Sequence, residues 1–284
     1  MNSSHAYYVI GHPLGHSMSP FIHSRLFSLR GVDATYQTRD IPPEQLAEAL
    51  PRLLGEAAGI NVTIPHKQTV IPLLDGLRGR AELYRSVNTI RITPEGRFGY
   101  NTDADGFVRA LEGGGVSLTG RVALLGCGGV GRTFACEAAL AGCQIVNAVR
   151  DADREQAAAL RDYVLSLVPH ADITLCGLDR LLGDFDLLIN ATPVGMYPHA
   201  DAMPVGEAVL TRVAAVFDAV YNPGDTRLLQ RARANGAKTV GGMPMLVWQA
   251  AAAHAIWDGA VFEKAAIDQL IVDTQQDMER RFFA

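Results

Sequence analysis

A glycine-rich run between an apolar strand pattern and a helix pattern places the strongest constraint on how this chain folds. The run matches G-x-G-x-x-G, follows the apolar segment VALLG and opens the helical segment RTFACEAALAG, and this context gives the pattern its meaning. Glycine permits the tight turn and lets the backbone approach a diphosphate, which then lies at the positive end of the helix. A strand–helix turn without a ligand is the alternative. The context favours dinucleotide binding by Gly126, Cys127, Gly128, Gly129, Val130 and Gly131.

The end of the next predicted strand, Val149-Arg150-Asp151, bears on which dinucleotide fits. An acidic residue about 20 positions past the loop favours a free ribose 2′-OH, because a 2′-phosphate would meet a like charge. Arg150 favours NADP instead, since a guanidinium can stack on adenine or pair with a phosphate. Asp151 could instead cap a helix, but Asp153 with Gln156 is the better capping pair. We therefore expect NAD(P)(H) as cofactor, with NAD preferred over NADP.

Strand and helix patterns alternate along most of the chain and predict an α/β protein with two domains. In the first hundred residues they indicate a mainly parallel sheet with helices packed on it, and VNTIRITPEGRFGYN reads as a hairpin. From about residue 106 to 242, repeated βα units with short links indicate a doubly wound Rossmann domain. The remaining residues, 243–284, are strongly helical.

Composition excludes several classes of protein. The chain has 284 residues, a net charge of −5, 48% apolar and 19% charged residues, which describes an ordinary folded protein. No basic run stands out, so a nucleic-acid partner is not expected. No window has the roughly 18 apolar residues of a membrane span, and the first residues lack the pattern of a secretion signal. We expect a cytoplasmic protein.

The spacing of the cysteines and histidines does not match a metal-binding motif. The cysteines show no C-x-x-C spacing, so free thiols are expected at Cys127, Cys136, Cys143 and Cys176. His12 and His16 are four apart, but the Gly/Pro loop between them is not helical and no acidic or cysteine partner has suitable spacing. We expect no bound metal.

Lys67 closes the run NVTIPHK and is one of only three lysines, against 22 arginines. Pro65 is a natural first-turn residue, so the pattern predicts that Lys67 lies in the first turn of a helix. The helix dipole disfavours a cation there, which favours the neutral amine and suits proton transfer near neutral pH. An exposed surface lysine is the alternative.

Two polar clusters lie outside the glycine loop. In GHPLGHSMSP, Ser17 and Ser19 precede a predicted helix; Ser19 could cap it, but two adjacent hydroxyls suit an anion such as a carboxylate. In VNTI and GYNTDADGF, the amide of Asn88 lies in an apolar strand and needs partners, which a substrate hydroxyl could supply. Asp105 is placed to cap the following helix, which leaves Asp103 the freer carboxylate.

Taken together and in order, these segments resemble the shikimate dehydrogenase family. The shared runs are GHPLGHSMSPFIH, NVTIPHK, VNTI, NTDADG, GCGGVG, INATPVGM, FDAVYNP and GGMPMLVWQAA, and they cover nearly the whole chain. The resemblance implies reversible reduction of 3-dehydroshikimate to shikimate by NADPH or NADH. It also implies a discontinuous substrate-binding domain, residues 1–105 plus 243–284, around a Rossmann domain at 106–242, with the active site in the cleft between them.

The resemblance also assigns roles to residues. Lys67 and Asp103 would form the catalytic pair, and Ser17 and Ser19 would bind the substrate carboxylate. The residues expected to hold hydroxyls or line the site are Asn61, Thr63, Asn88, Asp103, Gln249 and Tyr221. Outside the glycine loop, the residues expected at the cofactor are Arg150, Asp151, Thr192, Ala219 and Gly242.

This chain departs from the family pattern in three places. NADP-using members tend to carry Asn-Arg-Thr/Ser where this chain has Val149-Arg150-Asp151, Arg85-Ser86 replaces the usual Gly-Ala, and Pro244 stands where glycine is common. These changes are compatible with a paralogue that prefers NAD, and an NAD-dependent quinate/shikimate dehydrogenase of catabolic role is the alternative within the enzyme class. A non-catalytic sensor of shikimate and NAD(P) is the alternative of another class. The partner is a small molecule, and the protein a monomer or homodimer.

Overall fold

The computed structural model describes residues 5–15 and 17–282. The chain folds as two compact units: a first unit of Met1–Asp103 with Val247–Ala284, and a second unit of Ala104–Leu246. Each contains a six-stranded sheet with helices, which confirms the predicted α/β class. In the part of the chain that the structure describes, no helix is long and apolar enough to cross a membrane.

The described residues form these elements in chain order. The strands are β1 (His5–Gly11), β2 (Ala34–Asp40), β3 (Gly59–Val62), β4 (Gly76–Leu77), β5 (Thr89–Thr93), β6 (Gly96–Tyr100), β7 (Arg121–Leu125), β8 (Gln144–Val149), β9 (Asp172–Gly177), β10 (Leu187–Asn190), β11 (Ala215–Asp218) and β12 (Lys238–Val240). The α-helices are α1 (Ser19–Leu29), α2 (Leu46–Leu54), α3 (Arg80–Tyr84), α4 (Asp103–Gly113), α5 (Gly129–Leu140), α6 (Arg154–Leu167), α7 (Glu207–Leu210), α8 (Arg227–Ala234), α9 (Gly242–Asp258) and α10 (Lys264–Phe282).

The sheet of the first unit is mixed, in the order β2-β1-β3-β5-β6-β4. β1 pairs in parallel with β2 and β3, and β4 pairs in parallel with β6. β5 runs antiparallel to both neighbours, and with β6 it forms the predicted hairpin. Apolar side chains of α2 are buried against this sheet, as their helical spacing predicts: Leu46, Leu50, Leu53 and Leu54.

The buried face of α1 differs from the prediction. The sequence pattern put Phe21, Ile22, Leu26 and Leu29 on one side. Leu29 is 53% exposed, because it is the last residue of the helix. The side chains that α1 buries are Ile22, His23, Leu26 and Phe27.

The segment after Pro65 is not an α-helix, and this prediction was wrong. Residues 64–70 form successive turns, and a short 3-10 helix follows at Ile71–Leu73. The Lys67 carbonyl accepts a hydrogen bond from Val87 N at 2.7 Å. This carbonyl is therefore bonded to a distant segment of the chain and not to a later turn of a helix. The helix-dipole argument for Lys67 therefore does not apply.

The sheet of the second unit is parallel throughout, in the order β12-β11-β10-β7-β8-β9. The chain starts at the central strand β7, moves outward through β8 and β9, and returns to the other side through β10. This reversal is the doubly wound topology that the repeated βα pattern predicts, and ligands of such sheets bind at the carboxyl ends of the strands near the reversal.

A buried pair of histidines lies in the first unit. His23 Nδ1 and His254 Nε2 are 3.0 Å apart, and neither residue is exposed to solvent. Burial lowers the pKa of His23 well below its ordinary value, and the neighbouring His254 lowers it further. Burial also lowers the pKa of His254 to about 4. The folded protein therefore keeps both rings neutral at pH values where the unfolded chain protonates them.

The histidine pair makes the first unit acid-sensitive. Because the unfolded chain binds more protons than the folded one, stability falls as pH drops below about 6.5, the ordinary histidine pKa. For His254 alone the loss reaches roughly 2 kcal/mol by about pH 5. In His254→Phe, the difference in free energy of unfolding between about pH 7.5 and pH 5 should shrink by that amount, as measured by urea unfolding. His5→Phe, at an exposed position of the same unit, is the control. An unchanged difference in His254→Phe would contradict the prediction.

Candidate active site

A buried ion pair lies at the centre of the polar cluster in the first unit. Lys67 Nζ is 2.6 Å from Asp103 Oδ2, and the two side chains are only 12% and 9% exposed. Asp103 is the first residue of α4, and its backbone N donates to Asn101 Oδ1 at 3.0 Å. Asp105, the expected helix cap, lies inside α4 instead. The structure brings Lys67 and Asp103 into direct contact although 36 positions separate them.

The Asn88 amide connects this ion pair to other polar groups. Its Nδ2 donates to Asp103 Oδ1 at 2.9 Å, and it also lies within hydrogen-bond distance of Thr102 Oγ1 and Gln249 Oε1. Its Oδ1 accepts from Thr102 N at 2.8 Å. The partners that the buried amide requires are therefore supplied by the protein. Asn88 thereby fixes the orientation of the Asp103 carboxylate that faces Lys67.

Asn61, at the third position of β3, is also fully engaged. Its Nδ2 donates to Asn88 O and to Thr89 Oγ1, both at 3.1 Å, and its Oδ1 accepts from the Tyr36 hydroxyl at 2.7 Å. Both N–H donors are committed, so the remaining capacity of this amide is the second lone pair of Oδ1. Thr63 follows at the end of the strand, with its side chain half-buried.

The two serines differ in what they contact. Ser17 Oγ accepts from Ser19 N at 3.3 Å, at the start of α1. Ser19 is the first residue of the helix, and Met18 occupies the cap position without a side-chain cap bond. The expected alternative, that Ser19 caps the helix, was therefore wrong.

Of the two loop histidines, His12 contacts an aspartate. His12 Nδ1 lies 2.6 Å from Asp40 Oδ1, whose pKa this contact lowers, and His16 lies outside the described residues. Among the described residues no group of three or more His, Cys, Asp or Glu side chains could hold a metal ion. The four cysteines are free.

The glycine loop of the second unit has the predicted strand–loop–helix form. β7 ends at Leu125, Gly126 has φ +93°, and α5 begins at Gly129 with Gly128 as its cap. A Cβ placed on Gly131 would lie 3.1 Å from Gly126 O, whereas one on Gly128 or Gly129 would meet nothing within 4 Å. The tight turn needs the first glycine, and open space lies before the helix N-terminus. These residues fit a dinucleotide diphosphate.

The charged residues after β8 pair with one another. Arg150 donates from Nε to Asp153 Oδ2 at 2.7 Å, which lowers the pKa of that carboxyl. Asp153 occupies the N-cap position of α6 without a side-chain cap bond, so the predicted capping pair with Gln156 was wrong. Arg154 contacts Asp151 Oδ1 at 2.9 Å, and the Asp151 carboxylate remains 87% exposed.

A second polar network holds the loops after β10 and β11. Asp218 is not exposed to solvent. Its Oδ1 accepts from Asn190 Nδ2 at 2.9 Å and Val220 N at 3.0 Å, and its Oδ2 accepts from Thr226 Oγ1 at 2.6 Å. Burial raises the pKa of Asp218 to about 6, and these hydrogen bonds oppose the rise.

Three of the expected cofactor residues outside the glycine loop, Thr192, Ala219 and Gly242, lie around this network. Asn190 Oδ1 accepts from Thr192 N and from Thr192 Oγ1 at 2.7 Å. Ala219 N donates to Asn190 O at 3.0 Å, and a Cβ placed on Gly242 would lie only 2.4 Å from Ala219 O. The structure therefore brings Thr192, Ala219 and Gly242 together at the carboxyl ends of β10 and β11. Tyr221 follows in the same loop, and burial raises the pKa of its phenol.

Sequence reasoning missed several residues of these networks, among them Tyr36, Thr102 and Asp218. Thr102 lies inside the quoted NTDADG run and Asp218 inside FDAVYNP, so the shared runs carried a signal for both. Tyr36 lies on β2, outside every shared run, and its partner Asn61 is 25 positions away. No local sequence pattern indicates that Tyr36 belongs to the site.

The parallel doubly wound sheet, with its glycine turn at the helix start, is typical of dinucleotide-binding enzymes. Residues 9–90 match the family model described as shikimate dehydrogenase substrate binding domain. A protein of Methanopyrus kandleri named shikimate dehydrogenase (NADP(+)) is 42% identical over 261 residues, 88% of this chain and 89% of that protein. One of Haloarcula marismortui with the same name is 42% identical over 266 residues, 93% and 96% of the two chains. This chain therefore belongs to the shikimate dehydrogenase family.

Solved structures give the same result. Shikimate 5-dehydrogenase of Thermus thermophilus, crystallised with NADP(H) and shikimate, has a TM-score of 0.85 at 32% identity, over 95% of this chain and 99% of that one. The Listeria monocytogenes enzyme, crystallised with shikimate and NAD, has a TM-score of 0.85 at 27% identity, over 95% and 97%.

Proposed function

We propose that this protein is a shikimate dehydrogenase that catalyses the reversible NAD(P)H-dependent reduction of 3-dehydroshikimate to shikimate. The observation that carries the proposal is the buried contact between Lys67 and Asp103, held in place by Asn88. The relatives' names and the ligands of the solved structures support the substrate and the cofactor class. In this proposal the first unit binds the substrate and the second unit binds the dinucleotide.

The chemistry assigns one step to Lys67. When bound, the reduced nicotinamide supplies the hydride that adds to the carbonyl carbon. Lys67 Nζ donates a proton to the carbonyl oxygen, which completes the alcohol, and then recovers a proton from solvent. Asp103 accepts a hydrogen bond from Lys67 and so holds Nζ at a fixed position. In the direction of shikimate oxidation, the amine takes the hydroxyl proton instead.

The remaining polar groups orient the substrate. We propose that the hydroxyls of Ser17 and Ser19 bind the carboxylate. The groups that would hold the ring hydroxyls are Asn61, Thr63, Asn88, Asp103 and Gln249. Support comes from the network that already joins Asn88, Gln249 and Asp103. Tyr221 belongs to the second unit, and its contact with substrate remains a prediction.

The residues after β8 and the relatives' names point to different dinucleotides. The exposed carboxylate of Asp151 favours NAD, because a 2′-phosphate nearby would meet a like charge. Arg150, the group that could favour NADP, is paired with Asp153. The curated relatives are named NADP(+)-dependent. We propose that this chain accepts both dinucleotides and prefers NAD.

The Asp151 carboxylate sets the ratio of kcat/KM for NAD to kcat/KM for NADP. In Asp151→Asn the ratio should shift toward NADP by roughly tenfold, since one unfavourable charge contact of about 1.4 kcal/mol is removed. Asp162→Asn, at an exposed position of α6, is the matched control. A wild type that strongly prefers NADP, with a ratio unchanged in Asp151→Asn, would show that Asp151 has no such role.

Initial-rate measurements distinguish a shikimate dehydrogenase from a quinate/shikimate dehydrogenase and from a non-catalytic sensor. Wild-type protein is assayed with shikimate and with quinate, each with NAD and NADP. The proposal expects turnover of shikimate to exceed that of quinate with either dinucleotide. Faster turnover of quinate would instead support the quinate/shikimate dehydrogenase, and binding without turnover would support the sensor.

A further inference from the structure

The phenol of Tyr36 contacts an amide that is expected to bind the substrate. The Tyr36 hydroxyl donates to Asn61 Oδ1 at 2.7 Å. Tyr36 is only 7% exposed. A carbonyl oxygen can only accept, so the phenol proton is committed to Asn61.

The ring of Tyr36 is held in a fixed plane. The His23 ring stacks on it with centroids 4.1 Å apart and an interplanar angle of 3°. His23 in turn is fixed by its hydrogen bond to His254. The stacked ring therefore holds the hydroxyl at Asn61.

The orientation of the Asn61 amide depends on this hydroxyl. Asn88 O accepts from the nitrogen side of the amide and the Tyr36 hydroxyl donates to its oxygen side. These two contacts specify which end carries the oxygen. Without the hydroxyl, Asn61 Oδ1 loses its donor.

We propose that Tyr36 is a positioning residue for substrate binding: its hydroxyl fixes the Asn61 amide for contact with a hydroxyl of the substrate. This inference rests on the proposed function, because that function assigns a substrate contact to Asn61. Tyr36 itself need not touch the substrate. Its effect should appear in the KM for shikimate and leave proton transfer at Lys67 largely intact.

Tyr36→Phe removes the hydroxyl and keeps the stacked ring. The KM for shikimate should rise about tenfold, while kcat and the KM for the dinucleotide should change less than about threefold. Tyr8→Phe is the matched control. Tyr8 is a buried tyrosine of the same unit whose ring lies under the Arg39 guanidinium. This control should leave all three constants near wild type.

A double-mutant cycle distinguishes positioning from general loosening. If Tyr36 acts through Asn61, adding Tyr36→Phe to Asn61→Ala should raise the KM for shikimate by much less than tenfold. Additive effects, or equal rises in both KM values, would overturn the inference, as would a Tyr36→Phe protein that matches Tyr8→Phe. Each of these outcomes contradicts only the inference about Tyr36, and the proposed function is unaffected as long as wild type oxidises shikimate. A wild type without shikimate turnover overturns the proposed function and this inference together.

Discussion

Lys67→Met is expected to lower kcat for shikimate oxidation by about 10² to 10⁴, the usual contribution of a general acid–base group. Methionine has nearly the length of lysine but carries no transferable proton. The KM for shikimate should change much less, because the serines and amides of the site remain. Initial rates at saturating dinucleotide, over a range of shikimate concentrations, give both constants.

The control for Lys67 is Lys264→Met, which removes an exposed lysine paired with Asp268 on α10. Its kcat should equal that of wild type. Lys67→Met also leaves the buried Asp103 carboxylate without its cation, which destabilises the folded state. The free energy of unfolding is therefore measured alongside, and kcat is taken where the variant is fully folded. If kcat of Lys67→Met were within threefold of the wild-type value, Lys67 would not be the proton-transfer group.

Asp218→Ala is expected to lower the free energy of unfolding of the second unit by roughly 2 to 4 kcal/mol. The variant leaves three buried donors, on Asn190, Val220 and Thr226, without their acceptor, and each unsatisfied donor costs about 1 kcal/mol or more. The loops that carry Thr192 and Ala219 should loosen together, so dinucleotide affinity should fall as well. Urea unfolding and dinucleotide titration measure the two effects.

Asp218→Asn separates the hydrogen bonds from the charge. Its amide oxygen can still accept from Asn190 and Val220, so the variant should keep most of the stability at neutral pH. The folded state binds the Asp218 proton more tightly than the unfolded chain, so wild type loses stability as pH rises through about 6. That loss should disappear in Asp218→Asn. Asp225→Ala, which removes an exposed carboxylate paired with Arg233, should change little; an equal loss there would contradict the account.

Local patterns predicted the elements whose structure depends on neighbouring residues. The glycine loop needs the small residues of a tight turn, and the β5–β6 hairpin needs two short strands around Pro94-Glu95-Gly96, so both can be recognised within a short window. β9 was missed. Its partner β8 lies 28 positions away along the register Gln144 to Asp172, and only three of its six residues are apolar.

The helix argument that singled out Lys67 was wrong. Pro65 predicted a helix start, but tertiary bonding of the Lys67 carbonyl to Val87 N takes the backbone away from the helix pattern. The contact with Asp103 followed from the family resemblance and not from spacing. Tyr36 and Asp218 act through hydrogen bonds between distant segments, and such contacts leave no periodic pattern in a single sequence.

The most direct test of the central claim is whether the protein itself reduces a dinucleotide when shikimate is added. Wild type and Lys67→Met are each mixed with saturating shikimate and NAD or NADP, and the absorbance of the reduced nicotinamide is followed. We expect sustained formation of reduced dinucleotide by wild type and a rate lower by about a hundredfold or more in Lys67→Met. A wild type that binds shikimate and the dinucleotide yet forms no reduced nicotinamide would contradict it and identify a sensor instead.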